Sequence, residues 1–354
     1  MKRSCQFHGL LLGTAIGDAI GLPAEGLTPK SIQKLKWAHN WKHRFLFGRG
    51  MWSDDTEHTL IMARVLSRCN GDENRFIKSL SWELRIWLLM LPAGVGMATA
   101  RSLFKLWLGF SPHRSGVFSA GNGPAMRAAL VGSYFSECAE KRKRFNRLQT
   151  RLTHTDPKAE IASLAIVEIA ALHTCRGNAS SATEIILTLR KITDEKPWQD
   201  ILTSLENHLT EDKTLTEFLT DIGGNPKRGI SGYCYQTVPS VIFVGIKNDW
   251  KPTPTLSEIW QAGGDTDTTG AIAGALCGLA HGPESFPHDW RTNFAEWPVK
   301  SSNLEKCAAL LANEKVVMNR NPLNPALLLR NLLFLITVLS HGFLRLKILL
   351  LKSN

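Results

Sequence analysis

Residues 263–278 read Gly-Gly-Asp-Thr-Asp-Thr-Thr-Gly-Ala-Ile-Ala-Gly-Ala-Leu-Cys-Gly, two acids followed by a run of small side chains. The small-residue part, residues 271–281, predicts a helix. Gly274 and Gly278 lower its intrinsic helix propensity, so a helix is expected here only where it packs tightly against a neighbour. The stretch therefore predicts a closely packed helix that follows an acidic cluster.

Other segments of the chain also have helical patterns. Apolar residues at helical spacing predict a helix over residues 54–69, and Asp156 followed by Pro157 is a start signal for another over residues 156–175. There is no βαβ alternation, internal repeat or long Ser/Gly linker, so we expect one all-α domain. Residues 10–22 predict a helix that a neighbour can approach closely, because small residues recur along it at Gly13, Ala15, Gly17, Ala19 and Gly21.

Two acidic clusters lie far apart in the chain. The first is Trp52-Ser53-Asp54-Asp55-Thr56, and the second contains Asp265 and Asp267. Crowded carboxylates repel one another and are costly to bury unless a positive charge lies between them. Oxygen-only ligands favour Mg²⁺ or Mn²⁺, so two converging clusters would form a dinuclear site. The alternative is that each cluster only caps a helix and interacts with its dipole.

The 354 residues are 44% hydrophobic and 21% charged, as in soluble globular proteins, and the formal net charge is +11. Part of the excess lies in the run Lys141-Arg142-Lys143-Arg144. Such a run is usually a solvated face, and the alternative is attraction of a phosphate-bearing substrate or of nucleic acid. No aromatic interleaving or nucleic-acid-binding motif accompanies it, so nucleic acid has little support as a partner.

The cysteines and the N-terminal segment bear on the compartment. The seven cysteines are scattered and form no CxxC pair, which supports neither a disulfide framework nor a zinc site. Asp18 interrupts the apolar stretch that a signal peptide would need. Reduced thiols and no signal peptide together predict a cytoplasmic protein.

Residues 325–351 are strongly apolar but are interrupted by charges. The longest run without a formal charge, residues 331–344, is shorter than the roughly 20 residues of a membrane-spanning helix. We therefore expect no transmembrane segment and a terminal helix that is buried or partly amphipathic. Peripheral contact with a membrane is the alternative.

Residues 265–269 also match the DxDxT motif of haloacid-dehalogenase-type phosphatases, but Gly263-Gly264 stand where that motif has a hydrophobic strand. Taken in chain order, the motifs fit another family better. From about residue 8 to residue 282 the chain closely resembles the ADP-ribosylglycohydrolase family. The segments that carry this resemblance are Gly13-Thr14-Ala15-Ile16-Gly17-Asp18, Trp52-Ser53-Asp54-Asp55-Thr56, Ala120-Gly121-Asn122-Gly123-Pro124, Thr153-His154-Thr155-Asp156-Pro157, Gly232-Tyr233 and Gly264-Asp265-Thr266-Asp267-Thr268-Thr269-Gly270.

The resemblance implies a fold and an activity. The fold would be a single compact orthogonal helical domain over residues 1–300, with residues 301–354 as a helical extension packed on it that includes an extra apolar helix. The activity would be hydrolysis, dependent on two Mg²⁺ ions that Mn²⁺ can replace, of the bond at the anomeric carbon of the terminal ribose. Its substrate would be an ADP-ribosylated protein or another ADP-ribosylated acceptor.

The resemblance also assigns roles to residues by position. Glu25 falls where the family has an acidic loop residue near the metals, and Glu25, Asp55 and Asp265 are the catalytic candidates. Arg127 is either a phosphate contact or a structural partner. The substrate cleft would be lined by Gly121, Asn122, Gly123 and His154. The metal ligands would be Ser53, Asp54, Asp55, Asp265, Asp267 and Thr268.

The chain departs from the family pattern at one place. The nitrogenase-reactivating members carry an Asp in a Pro-Asp-x-Gly segment, and this chain has Pro92-Ala93-Gly94-Val95-Gly96 instead. Cleavage of ADP-ribosyl-arginine is therefore in question. The alternatives to an active hydrolase are a non-enzymatic ADP-ribose-binding or scaffold protein and a metal-dependent phosphohydrolase. The sequence does not fix the oligomeric state.

Overall fold

A computed structural model describes residues 1–314 and 325–351 of the chain. Within these residues the regular structure is helical, and β pairing is limited to isolated bridges. The all-α prediction is confirmed. The α-helices of the described residues are α1 (Arg3–Gly21), α2 (Pro29–Lys34), α3 (Asp54–Cys69), α4 (Glu73–Leu89), α5 (Met97–Trp107), α6 (Ala128–Tyr134), α7 (Ala139–Arg151), α8 (Pro157–Arg176), α9 (Ala182–Arg190), α10 (Lys196–Thr210), α11 (Leu215–Asp221), α12 (Cys234–Lys247), α13 (Pro252–Gln261), α14 (Thr266–His281), α15 (His288–Thr292), α16 (Ser302–Leu311) and α17 (Pro325–Leu351).

The centre of the fold is the pair formed by α1 and α14. A Cβ atom at Gly13 would lie 2.0 Å from the carbonyl oxygen of Gly274, and one at Gly17 would lie 1.9 Å from that of Gly270. No side chain fits between backbones this close. The tight packing predicted for both small-residue helices is thus confirmed, and each helix is the partner of the other.

The remaining helices surround this pair. The helices α3 and α16 pack on α1, whereas α8, α12 and α13 pack on α14. A second shell consists of α4 outside α3, α6 and α7 outside α8, and α10 and α11 outside α12. The helices α3 and α14 also touch each other, and their N-terminal ends meet, because Thr268 near the start of α14 donates a hydrogen bond to Asp55 near the start of α3.

The predicted helix boundaries agree well with the structure. Helix α3 covers residues 54–69 as expected, and the carboxylate of Asp156 accepts a hydrogen bond from Lys158 N at 2.9 Å at the start of α8. Helix α14 starts earlier than predicted, at Thr266. The second acidic cluster therefore forms the first turn of this helix and does not precede it.

Two helices are long and apolar enough to cross a membrane by length and composition alone. One spans Arg3–Ala24 and is 94% buried within the protein, while the other is α17, of which only 6% is buried. Of the two forms expected for the terminal helix, the buried form is not found, since only Arg330, Asn331 and Phe334 of α17 are buried, and the partly amphipathic form remains. These residues contact the domain, and most leucines of α17 are exposed.

Candidate active site

The first acidic cluster forms the N-terminal turn of α3. Ser53 caps this helix, with its Oγ accepting a hydrogen bond from Asp55 N at 3.3 Å. The buried carboxylate of Asp18 on α1 accepts hydrogen bonds from Ser53 N, Thr56 N and Thr56 Oγ1, the last at 2.6 Å. Asp18 therefore holds the turn in place from behind, and Asp54 is left to line an open cleft.

The second acidic cluster forms the first turn of α14, directly opposite. Thr268 Oγ1 donates a hydrogen bond to Asp55 Oδ2 at 3.2 Å and so joins the two helix starts. Asp55 and Asp267 are 1% and 6% exposed, yet no donor among the described residues reaches Asp55 Oδ1 or Asp267 Oδ1. A buried carboxylate oxygen without a donor carries a large desolvation cost. Both oxygens are therefore suited to a cation.

Crowding of these acids shifts their protonation. Burial raises the pKa of Asp55 well above the usual carboxyl range, and the charges of Asp54 and Asp18 add to it. Burial likewise raises the pKa of Asp267, with contributions from Glu25 and Asp265. The pKa of Asp54 is also raised well above its usual value, mainly by burial, although its side chain lines the cleft. A divalent cation would reverse these shifts by stabilising the ionised forms.

Glu25 lies at the lip of the same cleft, in the turn that follows the 3₁₀ segment Leu22–Ala24. The residue is exposed, but the protein around its carboxyl group and the charge of Asp265 raise its pKa to about 7. Arg345 of α17 counteracts this rise. A carboxyl group with a raised pKa at the lip of the cleft suits a group that exchanges protons.

The Asn122 side chain orients one of the acids. Its Nδ2 donates hydrogen bonds to Asp265 Oδ2 at 2.7 Å and to Thr237 Oγ1 at 3.0 Å. The backbone of the loop is fixed too, because Asn122 N donates to Gly232 O at 3.0 Å. This geometry places the Asn-Gly loop beside the start of α14 and fixes the rotamer of Asp265.

His154 forms the floor beneath this loop. The side chain is 3% exposed, and its Nδ1 lies 2.9 Å from Thr153 Oγ1. Burial and the nearby Arg127 lower its pKa to about 3, so the imidazole is neutral. Cβ atoms at Gly121 and Gly123 would lie 3.1 Å from the His154 ring. The glycines therefore leave backbone, and no side chain, between the ring and the cleft.

Arg127 has a structural role. It is 1% exposed, and its guanidinium donates to Gln149 Oε1 and Gln149 O, and to Thr153 Oγ1 at 2.9 Å. Its Nη1 also lies 3.1 Å from His58 Nδ1. These partners occupy the guanidinium inside the protein, so Arg127 supports His154 and does not contact a phosphate.

The cleft that these residues surround has a volume of about 320 Å³. It gathers most of the residues singled out in the sequence, while Ser53 and Asp55 lie behind its wall. The loop with the missing acid reaches it as well: a Cβ at Gly94 would lie 3.6 Å from Asp54 Oδ1. The Ala93 side chain packs instead against a small apolar cluster, whose members are Leu22, Phe45, Met51 and Phe334.

Sequence reasoning missed some residues of this site. Thr99 and Ser119 also line the cleft, and Ser119 Oγ accepts from Gly121 N at 3.3 Å. No local sequence pattern marks either residue, because only the tertiary fold brings each of them to the cleft. Glu296, which accepts a hydrogen bond from Trp52 N at 2.8 Å, was missed for the same reason.

A second cavity of about 170 Å³ lies between α3, α4, α16 and α17. Its acids already have basic partners, since Glu57 pairs with Arg330 at 2.9 Å and Glu83 with Arg64 at 2.9 Å. No crowd of like charges remains there among the described residues. We therefore assign the chemistry to the cleft at the starts of α3 and α14.

Comparison with known proteins places the chain among relatives of known fold and family. A solved structure described as an ADP-ribosylglycohydrolase-related protein complex has the same fold, with a TM-score of 0.59 at 22% identity, over 88% of this chain and 98% of its own. An uncharacterized protein of Archaeoglobus fulgidus is 27% identical over 288 residues, which are 77% of this chain and 87% of that protein.

Named relatives are similar over comparable lengths. The ADP-ribosyl-[dinitrogen reductase] glycohydrolase of Rhodospirillum rubrum is 26% identical over 80% of this chain and 87% of its own. ADP-ribosylhydrolase ARH3 of Danio rerio is 27% identical over 81% of this chain and 86% of its own. The sequence model of the ADP-ribosylglycohydrolase family matches residues 2–321. The chain therefore belongs to the ADP-ribosylglycohydrolase family.

Proposed function

We propose that this protein is an ADP-ribosyl hydrolase that cleaves the bond at the anomeric carbon of the terminal ribose, at a site with two Mg²⁺ ions or two Mn²⁺ ions. The observation that carries the proposal is the meeting of two acidic helix starts, with buried oxygens of Asp55 and Asp267 that lack donors among the described residues. Family membership supports the hydrolase class. The particular bond and the metals are our proposal.

The proposed ligands fit a hard cation. They are all oxygens, namely those of Ser53, Asp54, Asp55, Asp265, Asp267 and Thr268, which favours Mg²⁺ or Mn²⁺ over Zn²⁺. Among the described residues, no group of three or more Asp, Glu, His or Cys side chains already surrounds a position where a metal ion would fit. Mg²⁺ does not require such a group, because it usually retains several waters and is bound through one or two carboxylates. When bound, the cations would orient the ribose hydroxyls and acidify a water.

The side chains of the cleft would divide the remaining work. Asn122 holds Asp265 in one orientation at the cleft through the 2.7 Å hydrogen bond. Glu25, at the lip of the cleft, is placed to exchange a proton with the departing acceptor. Asp265, which lines the cleft, is the carboxylate that can stabilise an oxocarbenium-like ribose and guide a water towards it, whereas Asp55, behind the cleft wall, would act through the cation that it holds.

The substrate's diphosphate would lie along the loop of Gly121 and Gly123. Gly121 and Gly123 have no side chain that would obstruct the diphosphate, and a Cβ at either position would lie 3.1 Å from the His154 ring. The neutral imidazole beneath the loop adds no charge of its own, because burial lowers its pKa to about 3. The substrate would be an ADP-ribosylated protein or another ADP-ribosylated acceptor, and we expect it to be met in the cytoplasm.

Product analysis tests this function. The protein is incubated with arginine-, serine- and nucleic-acid-linked ADP-ribose, with Mg²⁺, with Mn²⁺, with Zn²⁺ or with EDTA. We expect free ADP-ribose with Mg²⁺ or Mn²⁺, little with Zn²⁺ and none in EDTA. Calorimetric titration of the metal-free protein with Mn²⁺ should show about two sites.

Two variants make the test specific. The double variant Asp265→Asn, Asp267→Asn should lose Mn²⁺ affinity and turnover, whereas Asp289→Asn, at a side chain 86% exposed on α15, should retain both. Release of inorganic phosphate would favour a phosphohydrolase. Binding of ADP-ribose without turnover on any linkage would favour a scaffold protein, and full turnover in EDTA would exclude a catalytic metal.

A further inference from the structure

The outward side of α17 is apolar and faces solvent. We call this side the outer face and define it by Leu329, Leu332, Ile336, Leu339 and Phe343, which are between 43% and 73% exposed. The mean hydropathy over the most apolar window of the helix is 1.8. Soluble proteins seldom expose a contiguous apolar patch of this kind unless it binds a partner or a membrane.

The inward side of the same helix joins the domain through the buried Phe334 ring and through polar contacts. Arg330, 3% exposed in its side chain, forms ion pairs with Glu57 and Glu296 at 2.9 and 2.6 Å. Asn331 Nδ2 donates to Met90 O at 2.8 Å, and Arg345 Nη1 donates to Pro23 O at 2.7 Å. A surface helix of a water-soluble domain usually packs its whole apolar stripe against the core, whereas Phe334 is the one large apolar side chain of α17 that is buried among the described residues.

The helix itself contains no acid and offers two positive charges. Arg330 is already ion-paired with Glu57 and Glu296, so the charge available to a partner is that of Arg345 and Lys347, in a chain whose formal net charge is +11. A basic, apolar helix is complementary to a membrane surface that carries anionic headgroups. A second copy of this chain would bring the same positive charges together, so charge favours lipid over self-association.

An adjacent loop presents a further apolar side chain. Phe47 is fully exposed, in a loop where Phe45 packs its ring 6.4 Å from that of Phe334 and 5.1 Å from that of His341. Arg49 of the same loop donates through Nη2 to Phe294 O at 2.6 Å, so its guanidinium is held against the domain. Because Phe45 packs against α17, the loop lies beside the helix and adds the exposed Phe47 ring to the apolar surface of this region.

We infer that the outer face of α17 binds an anionic lipid membrane and lies in the plane of its interface, with the leucines in the acyl region and Lys347 among the headgroups. The helix stays attached to the domain. Spanning the bilayer would remove Arg330 from Glu57 and Glu296 and place its charge in hydrocarbon, which is costly.

This attachment also connects the membrane face to the cleft. Arg330 Nη2 donates to Trp52 O at 2.7 Å, immediately before Ser53, and Arg345 Nη1 donates to Glu25 O at 3.1 Å. The segment before Ser53 and the turn at Glu25 are therefore both tied to α17. A protein bound through the outer face would hold its cleft at a fixed distance from the lipid surface.

Vesicle sedimentation with the full-length chain tests the inference. The triple variant Leu332→Gln, Ile336→Gln, Phe343→Gln removes three outer-face side chains without changing charge, and Leu187→Gln on α9, at a residue 54% exposed, is the matched control. We expect wild type and control to sediment with phosphatidylglycerol-containing vesicles and much less with phosphatidylcholine vesicles. The partition of the triple variant into phosphatidylglycerol-containing vesicles should be at least about 100-fold lower than that of the wild type. Its melting temperature should be unchanged, because the three side chains are exposed.

Other outcomes would overturn the inference. Equal partition of the triple variant and the wild type would show that the outer face is not the lipid contact. A wild-type dimer in analytical ultracentrifugation that becomes monomeric in the triple variant, without vesicle binding, would assign the face to a second copy. Equal partition into neutral and anionic vesicles would refute the charge contribution, and resistance to alkaline carbonate extraction would indicate a spanning helix.

Discussion

At the scale of single residues, the site combines carboxylates that are fixed by donors with carboxylates that lack them. Asp18 accepts three hydrogen-bond donors, and Asp265 is oriented by Asn122. Asp55 and Asp267 each keep one buried oxygen without a donor among the described residues. Asp18 is suited to hold the architecture of the site, whereas Asp55 and Asp267, together with the oriented Asp265, are suited to bind cations. This division follows from the local hydrogen bonds and is not visible in the sequence motif.

The missing acid leads to a prediction about Gly94. Gly94 has a φ of +84°, and a Cβ built on it would lie 3.6 Å from Asp54 Oδ1, so a side chain at this position would enter the cleft. The methyl group of Ala93 packs among apolar groups instead. We expect slow wild-type hydrolysis of ADP-ribosyl-arginine and an increase of about tenfold in kcat/KM in Gly94→Asp, a modest part of what a well-positioned acid supplies. Ala93→Asp should raise the rate less.

Gly94→Asn is the matched control for this experiment, because Asn tolerates the left-handed conformation as Asp does and supplies no acid. The rate of hydrolysis should rise only in the Asp variant. Brisk wild-type cleavage of the arginine linkage, or equal rates in Gly94→Asp and Gly94→Asn, would show that this loop does not lack a catalytic group.

At the scale of elements, the contact between α1 and α14 positions the site. Asp18 lies on α1 and the second acidic cluster begins α14, so the distance between these helices sets the distance between Asp18 and that cluster. Glycines at spacings of four residues, from Gly9 to Gly21 and from Gly270 to Gly278, make this distance short. The packing of the two helices is therefore part of the active-site geometry.

The variant Gly17→Ala tests this role. Its Cβ would lie 1.9 Å from the carbonyl oxygen of Gly270, so the helices must separate. We expect a loss of about 1–3 kcal/mol in the free energy of unfolding, despite the higher helix propensity of Ala. The control is Gly342→Ala on α17, where a Cβ meets nothing within 4 Å and stability should be unchanged or slightly increased. Equal melting temperatures of Gly17→Ala and wild type would contradict the proposed close packing.

Much of this element structure follows from local signals in the sequence. The range of α3, the Asp156 cap of α8 and the close packing of the glycine-rich helices depend on neighbours in the chain or on side-chain size, and all three were predicted. The orientation of α17 was not. Its polar residues face inward because Glu57 and Glu296 need a basic partner there, and this need arises only in the folded protein.

At the scale of the whole molecule, the cleft collects segments from most of the chain. The motifs and their order identified the acidic clusters and the Asn-Gly loop, because these residues are defined by their chemistry. The contributions of Thr99, Ser119 and Glu296 follow from tertiary contacts that no local pattern encodes. The same assembly concentrates negative charge at one point inside a protein whose net charge is positive. Its stability should therefore depend on pH and on metal.

The metal-free protein is expected to become less stable as pH rises from 6.5 to 8. The pKa values of Asp55 and Asp267 are raised well above the usual carboxyl range and that of Glu25 to about 7, so the folded protein holds protons that the unfolded chain, with carboxyl pKa values near 4, has released. Stability is then lost as these groups ionise. Buried neutral histidines such as His154 have the opposite effect, but only below about pH 6.5, where unfolded histidine becomes protonated.

Thermal unfolding in EDTA and in Mn²⁺ measures this effect. In EDTA the melting temperature should fall as the pH rises from 6.5 to 8. With Mn²⁺ the fall should disappear, since the ionised carboxylates are then the stable form and bind metal more tightly as protons leave. Asp267→Asn should flatten the EDTA profile, whereas Asp289→Asn should not. A metal-free protein whose stability rises steadily to pH 8 would contradict the crowding of carboxylates on which the proposed metal site depends.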